Sequence, residues 1–328
     1  MIMEIKPKLL ILIHTEEEFD WGKPFSRENR GVSHISRLLK YQQMFSQYNA
    51  SVAYAVSYPV AESEKSASFL KELSSSFENV TIGMHCHPWV NPPYDEEINS
   101  VNSYPGNLPL KQERAKLLKL YQKIEENIGS TPEFYLAGRY GVGNNTYKIL
   151  NELGVKTDYS PMPFYDYSDQ DGPDFSQSST RVTVDQGVTV IPHSSGYTGW
   201  LSKGVEKPIM LNFPLLVKSR ITSVFSILGG FNQVILTPEG FDLEEMKALT
   251  KKLMASGHDT IVLSFHSTSI VAGNNPFVTN EVEEELFFNQ LQQYLTFYVD
   301  ELGGDFFDST TEGYQNVPIQ KQHQNRSH

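Results

Sequence analysis

The chain has 328 residues, with 27 basic against 39 acidic side chains and a net charge of −12 when the histidines are neutral. That balance excludes a generally basic surface for nucleic acid or anionic membrane. Hydrophobic residues at 39% and aromatics at 12% supply a large core and exclude a disordered chain. The single cysteine, Cys86, excludes an intrachain disulfide framework and leans towards a cytoplasmic setting.

The N-terminal apolar run, Leu9–Ile13, is five residues, shorter than the roughly 7–15 of a secretory leader. It reads as a buried strand. No run of about 18 uncharged apolar residues occurs, so no membrane span is expected. The most apolar region, Ile209 to Leu228, is broken by Pro214, Lys218 and Arg220. The sequons at Asn49, Asn79, Asn144 and Asn325 are accordingly read as incidental.

From Val32 to Tyr48, apolar residues recur at near-helical spacing, which predicts a helix. Ser51–Val56 follows as a strand, Glu62–Phe77 as one helix, and Val80–Met84 as a strand ending on His85. Leu110–Ile128 carries an apolar stripe of Leu117, Tyr121, Ile124 and Ile128, and Gly129 stops it. Glu133–Ala137 is the next strand and Asn145–Leu153 the next helix. The segment Tyr165–Gly187 is polar and acidic and reads as a long surface loop. Val188–Pro192, Gln233–Leu236 and Thr260–Phe265 are strands, while Leu243–Ala255 and Glu281–Tyr298 are helices. Strands alternating with helices imply parallel βαβ units. About seven such units without a linker favour one α/β barrel domain over residues 1–315, followed by a frayed polar tail at 316–328.

In such barrels the chemistry gathers at the C-terminal ends of the strands. Five of the nine histidines fall there: His14, His85, His87, His193 and His266. His85 and His87 are two apart, so on a strand they point the same way. Two imidazoles and one carboxylate make an open site for a divalent metal, and Glu16, Glu17 or Asp20 can supply the carboxylate. Cys86 between them should point away, into packing. Arg139 needs a partner: a catalytic carboxylate, a substrate, or a structural ion pair with Asp158. His266 closes an apolar run and is either a satisfied core histidine or a general acid. Trp21, Trp89 and Trp200 lie in the same loops and serve as packing anchors or as a sugar platform, with Trp89 the platform candidate.

The runs His14-Thr-Glu-Glu-Glu-Phe-Asp-Trp21, Ile82-Gly-Met-His-Cys-His-Pro-Trp89, Ser103-Tyr-Pro-Gly-Asn-Leu-Pro109, Ala137-Gly-Arg-Tyr-Gly-Val-Gly143, Thr237-Pro-Glu-Gly240 and Phe265-His-Ser-Thr-Ser269 resemble the WalW-type polysaccharide deacetylases, a branch of the NodB-like carbohydrate esterases. The resemblance runs from about Leu9 to Tyr298. It implies a distorted (β/α) barrel of about seven parallel strands and removal of an acetyl group from an N-acetylated saccharide. It also implies a divalent metal, zinc first and cobalt, nickel or iron as options, held by Glu16, His85 and His87. Carried over, Arg139 steadies the base, His266 is the acid, Asp158 fills a supporting position, and Trp89 and Tyr140 contact substrate. One departure stands out: the branch pattern begins Asp-Thr-Glu-Glu, and here His14 replaces the aspartate. Either His14 takes over as base, or Glu16 serves with His14 as an extra ligand, or the protein binds saccharide without turning it over. An amidohydrolase-type site fits less well, because there the paired histidines follow the first strand rather than the third.

Overall fold

The computed structural model describes residues 7–199 and 232–307. Strand β1 (Lys8–Thr15) lies between two parallel neighbours, β2 (Val52–Val56) and β10 (Thr260–His266). Continuing outward from β2 come β3 (Val80–Cys86), β4 (Tyr135–Ala137), β5 (Thr157–Asp158) and β7 (Val188–Val190). Among the described residues, the path β10-β1-β2-β3-β4-β5-β7 is therefore seven strands, every pair parallel. Strand β9 (Asn232–Ile235) pairs with β8 (Ser195–Thr198) in a separate ribbon. Just beyond it, Leu236 N donates to Ser194 O at 2.8 Å and Leu236 O accepts from Ser264 N at 3.1 Å. Those two bonds bring β10 and the segment after β7 towards each other, so the sheet curls into a distorted barrel.

Strand periodicity divides the core in two. Leu9, Ile11 and Ile13 of β1, Met84 and Cys86 of β3, and Leu263 and Phe265 of β10 pack outward against the helices. These are α1 (Leu38–Gln47), α2 (Tyr58–Glu62), α3 (Glu64–Ser76), α4 (Leu110–Asn127), α5 (Thr146–Leu153), α6 (Leu243–Ala255) and α7 (Glu281–Thr296). Leu10 and Leu12, Ala53 and Ala55, Leu136 and Val262 face inward and fill the barrel. Cys86 is buried in the outer layer, as its alternation predicts.

Several elements differ from expectation. The helix expected over Glu62–Phe77 is two helices, because Ser63 adopts an extended backbone (ψ 114°) and its hydroxyl caps α3 by accepting from Ser66 N. The loop expected over Tyr165–Gly187 ends in a short strand, β6 (Thr183–Asp185), antiparallel to β7. The turn between them, Gln186 and Gly187, has φ of 47° and 82°, the positive pair a tight hairpin needs. Helix α7 ends at Thr296 and gives way to a π turn over Phe297–Glu301. A final strand, β11 (Asp305–Phe306), pairs with β1. The region 209–228, Trp200, Asn325 and the tail 316–328 lie outside the described residues. No helix among the described residues is long and apolar enough to cross a membrane.

Candidate active site

The same alternation that buries Leu10 and Leu12 carries His14 to the inner side at the end of β1. His14 pairs in register with His266 of β10 on one flank and with Ala55 of β2 on the other. The small Ala55 leaves room for an imidazole. On β3 the parity of Gly83 and His85 continues to His87, so both histidines enter the barrel mouth. Gly138 makes that approach possible: a Cβ there would lie 2.3 Å from Cys86 O and 2.5 Å from His87 Cδ2.

Glu16 sits at the centre. Its Oε2 lies 3.1 Å from His85 Nε2 and 3.5 Å from His87 Nε2, so the two histidines share a face as their spacing requires. The far nitrogens are both tied down. His85 Nδ1 donates to the Leu136 carbonyl at 2.9 Å. His87 Nδ1 lies 2.6 Å from Glu17 Oε1. Burial pushes the Glu17 carboxyl up, but the adjacent His87 outweighs it and the net shift is downward. Glu17 is therefore an ionised acceptor and His87 Nδ1 the donor. Burial also pushes the His85 pKa down to about 4, so near neutral pH its Nε2 carries a lone pair. The Nε2 atoms of both histidines thus converge on one carboxylate oxygen. The pattern matches metal-ligating histidines, whose second nitrogen is held by a carbonyl or carboxylate.

The donor set fits a divalent ion. Glu16 is buried and its Oε1 has no hydrogen-bond partner among the described residues. Ligand atoms of His14, Glu16 and His85 all lie within 4.8 Å of one another. His14 thus takes the place expected of His87 in the tightest set, while His87 stands outside it with its Nε2 3.5 Å from Glu16 Oε2. Burial, and then the neighbouring imidazoles, hold its pKa well below the ordinary value, so it is neutral. Of the other acidic candidates, Glu17 orients His87, while Asp20 is exposed and pairs with Lys23 at 3.2 Å.

His266 faces the cluster from β10, its ring centroid 4.4 Å from that of His14. Its Nδ1 lies 2.7 Å from Glu239 Oε2, and its backbone N–H donates to Glu239 Oε1 at 2.8 Å. Ser269 Oγ also donates to Glu239 Oε1. Burial opposes the imidazolium charge, but the Glu239 and Glu16 carboxylates overcome it and raise the His266 pKa to about 9. Close by, His193 is driven the other way, to about 3, by burial and by its histidine neighbours. Its Nδ1 meets Ser264 Oγ at 3.0 Å, while its Nε2 is buried with no partner among the described residues.

His14, Glu16, His85, His87, Glu239 and His266 border a cavity of about 400 Å³, within the usual range of roughly 300–1,000 Å³ for small-molecule sites. Arg139 and Tyr140 line it, from the turn after β4. Both are non-glycine residues in the left-handed region, with φ of 53° and 60°, and such strain costs about 1–3 kcal/mol per residue. Tyr140 is stacked on Tyr167 at 5.7 Å and meets the edge of His193 at 5.1 Å.

Two expectations need correction. Arg139 does not pair with Asp158. It donates to Ser103 Oγ and, at 2.6 Å, to Gln170 Oε1, and lies over the Tyr104 and Phe25 rings. Asp158 is buried on β5, where it accepts from Ser160 N at 3.1 Å and from Tyr147 Oη at 3.1 Å. Burial raises its pKa to about 6. Ser160 Oγ in turn accepts from Ala137 N at 2.8 Å, so Asp158 fastens β5 to β4 and is not among the cavity walls. Trp89 lines the cavity but is 2% exposed and stacks on both His87 and Phe25 at 4.4 Å. It is a packing anchor. Of the two described tryptophans the more exposed is Trp21, 39% exposed, stacked on Phe19 at 5.9 Å and set edge-on to His266 at 5.0 Å.

In the sequence Glu239 and Tyr104 are marked only by the Thr237-Pro-Glu-Gly240 and Ser103-Tyr-Pro-Gly-Asn-Leu-Pro109 runs, and Phe25 and Phe277 carry no signal that marks a cavity wall. All four border the cavity.

No family model and no curated protein matches the chain. Solved structures do. A protein from Mycobacterium smegmatis described as a candidate polysaccharide deacetylase aligns over 97% of this chain and 92% of its own, at 13% identity and a TM-score of 0.54. A 4-α-glucanotransferase from Thermococcus litoralis aligns over 96% of this chain and 41% of its own, at 11% identity and a TM-score of 0.53. A family 57 branching enzyme from Thermococcus kodakaraensis aligns over 96% of this chain and 72% of its own, at 10% identity and a TM-score of 0.51. At these identities the likeness speaks for the fold: the chain has the curled barrel found in a candidate polysaccharide deacetylase and in glucan-modifying enzymes.

Proposed function

We propose that this chain is a metal-dependent hydrolase of the WalW-type deacetylase branch, cleaving the carbon–nitrogen bond of an N-acetylated sugar to release acetate. The observation that carries this reading is the convergence of His85 Nε2 and His87 Nε2 on Glu16 Oε2, with both Nδ1 atoms anchored. Glu16, His85 and His87 would hold the metal, zinc in the first instance, with His14 beside them keeping its ring nitrogen for the water. When bound, such an ion polarises an acetamide carbonyl and makes water a better nucleophile.

The rest falls to the chain's own side chains. Neutral His14 accepts a proton from the water that attacks the carbonyl carbon. Protonated His266, held by Glu239, delivers a proton to the amine nitrogen as the carbon–nitrogen bond breaks. Tyr140 and Trp21 border the sugar, and the aromatic walls limit water. The buried Cys86 thiol is compatible with a cytoplasmic setting.

The test is acetate release from N-acetylglucosamine oligomers by zinc-loaded protein. Replacing His266 by alanine should lower turnover by about 10²–10⁴-fold, with saccharide binding largely retained. The competing reading, a saccharide-binding protein without turnover, is carried by His14 in the place of the expected aspartate. Saccharide binding without acetate release, in the natural chain and in His14→Asp alike, would establish it.

A further inference from the structure

Among the described residues, Arg139 is a cation in a cavity wall with no anion beside it. Its polar partners there are the neutral Ser103 and Gln170, and its guanidinium lies 4.0 Å from the Tyr104 ring centroid and 5.3 Å from that of Phe25. No described carboxylate lies within ion-pair distance of it. The carboxylates that border the cavity are already engaged: Glu16 by His85 and His87, Glu239 by His266. A guanidinium has five N–H donors in a planar fork. Ser103 takes one from Nη1 and Gln170 one from Nη2, which leaves the Nε donor and one on each Nη. The aromatic neighbours fix the plane of the fork without consuming those donors. The backbone of Arg139 and Tyr140 is held in the left-handed region to present both side chains to the cavity. A half-buried, oriented and partly unsatisfied guanidinium is built to meet a carboxylate on whatever enters.

We infer that the substrate is an acidic saccharide, an N-acetylated sugar whose ring or neighbouring ring carries a carboxylate, and that Arg139 is the residue that selects it. The inference rests on the saccharide-hydrolase reading of the cavity and narrows its substrate class. The two ends of the cavity then have separate tasks: the histidine cluster takes the acetamide, and Arg139 takes the acid group. This explains why a chain of net charge −12 keeps an uncompensated arginine at this place.

The experiment compares matched ligands. N-acetylmuramic acid differs from N-acetylglucosamine by a carboxylate-bearing lactyl ether. A hyaluronan disaccharide places the carboxylate on a neighbouring uronate, against neutral diacetylchitobiose. Ligand-detected NMR titration reads binding, and the acetate signal in the same tube reads turnover. The zinc-loaded natural chain should bind at least one acidic ligand about 10- to 100-fold more tightly than its neutral counterpart, and which pair shows it locates the carboxylate. Arg139→Met should reduce that preference to less than about twofold while binding of the neutral sugar changes little, and Arg139→Lys should recover part of it. Equal binding of both pairs by the natural chain, or a preference that survives Arg139→Met, overturns the inference. Acetate release from the neutral sugars with no acid preference would overturn it while leaving the proposed activity standing. Failure of every N-acetylated sugar to bind would remove both.

Discussion

Replacing Glu239 by glutamine tests what sets the charge on His266. The ion pair is buried, with His266 Nδ1 2.7 Å from Glu239 Oε2. At an effective dielectric of about 20, a unit pair at 2.7 Å attracts by about 6 kcal/mol. Burial opposes this, and the net result is a pKa of about 9. Glutamine keeps the shape, and its carbonyl still accepts from His266 N and from Ser269 Oγ, but the charge is gone. Glu16 continues to contribute from further away. The His266 pKa should fall by about two units or more, towards 6.5 or below, which corresponds to about 2.7 kcal/mol. Two-dimensional NMR of labelled imidazole nitrogens reads the shift directly. The alkaline limb of activity, expected near pH 9 in the natural chain, should move down with it. Stability should move in the same sense. A histidine whose folded pKa lies above its unfolded value stabilises fully below about 6.5, and that gain is lost as pH rises through about 9. The natural chain should weaken across that window and Glu239→Gln should not show the same decline. A His266 that titrates near 6.5 in the natural chain, or whose pKa is unmoved by the substitution, would refute the reasoning.

Three other substitutions probe the same geometry. Glu17→Gln removes the carboxylate that holds His87 Nδ1 and should weaken metal binding by about 10- to 100-fold, read by chelator competition. An unchanged affinity would show that His87 is not a ligand. Trp89→Ala should cost about 3–5 kcal/mol of unfolding free energy, because the buried indole packs against His87 and Phe25. Trp21→Ala should cost less than about 1 kcal/mol in denaturant titrations yet weaken saccharide binding, and the opposite ranking would return the platform role to Trp89.

The parts of the site that the sequence makes legible are those governed by strand alternation. Because Leu10 and Leu12 face inward, His14 must, and because His85 and His87 are two apart they must share a face with Cys86 turned away. The turns and loops beyond the strand ends are less legible. Arg139 sits in a turn whose positive φ no residue type announces, so its side chain meets Ser103 and Gln170 rather than Asp158. Trp89 reads as an exposed aromatic until Phe25, 64 positions earlier, is seen stacked upon it. Glu239 lies in the Thr237-Pro-Glu-Gly240 run, 27 positions before His266, and nothing in that run says it meets the imidazole; only the fold brings the carboxylate under it. The hairpin strand β6 is hard to read because it is only three residues long and largely exposed, marked by no more than the brief Val182-Thr183-Val184 alternation before Gln186-Gly187.

The central claim is that Glu16, His85 and His87 form a metal centre. It is tested most directly by elemental analysis of protein purified without added metal, together with calorimetric titration of zinc into the chelator-treated chain. The account predicts one divalent ion per chain, a saturable single site in the titration, and loss of that site in His85→Ala while the variant keeps its folded circular dichroism. No bound metal and no saturable zinc binding by the folded natural chain, or zinc binding that His85→Ala leaves intact, would contradict it.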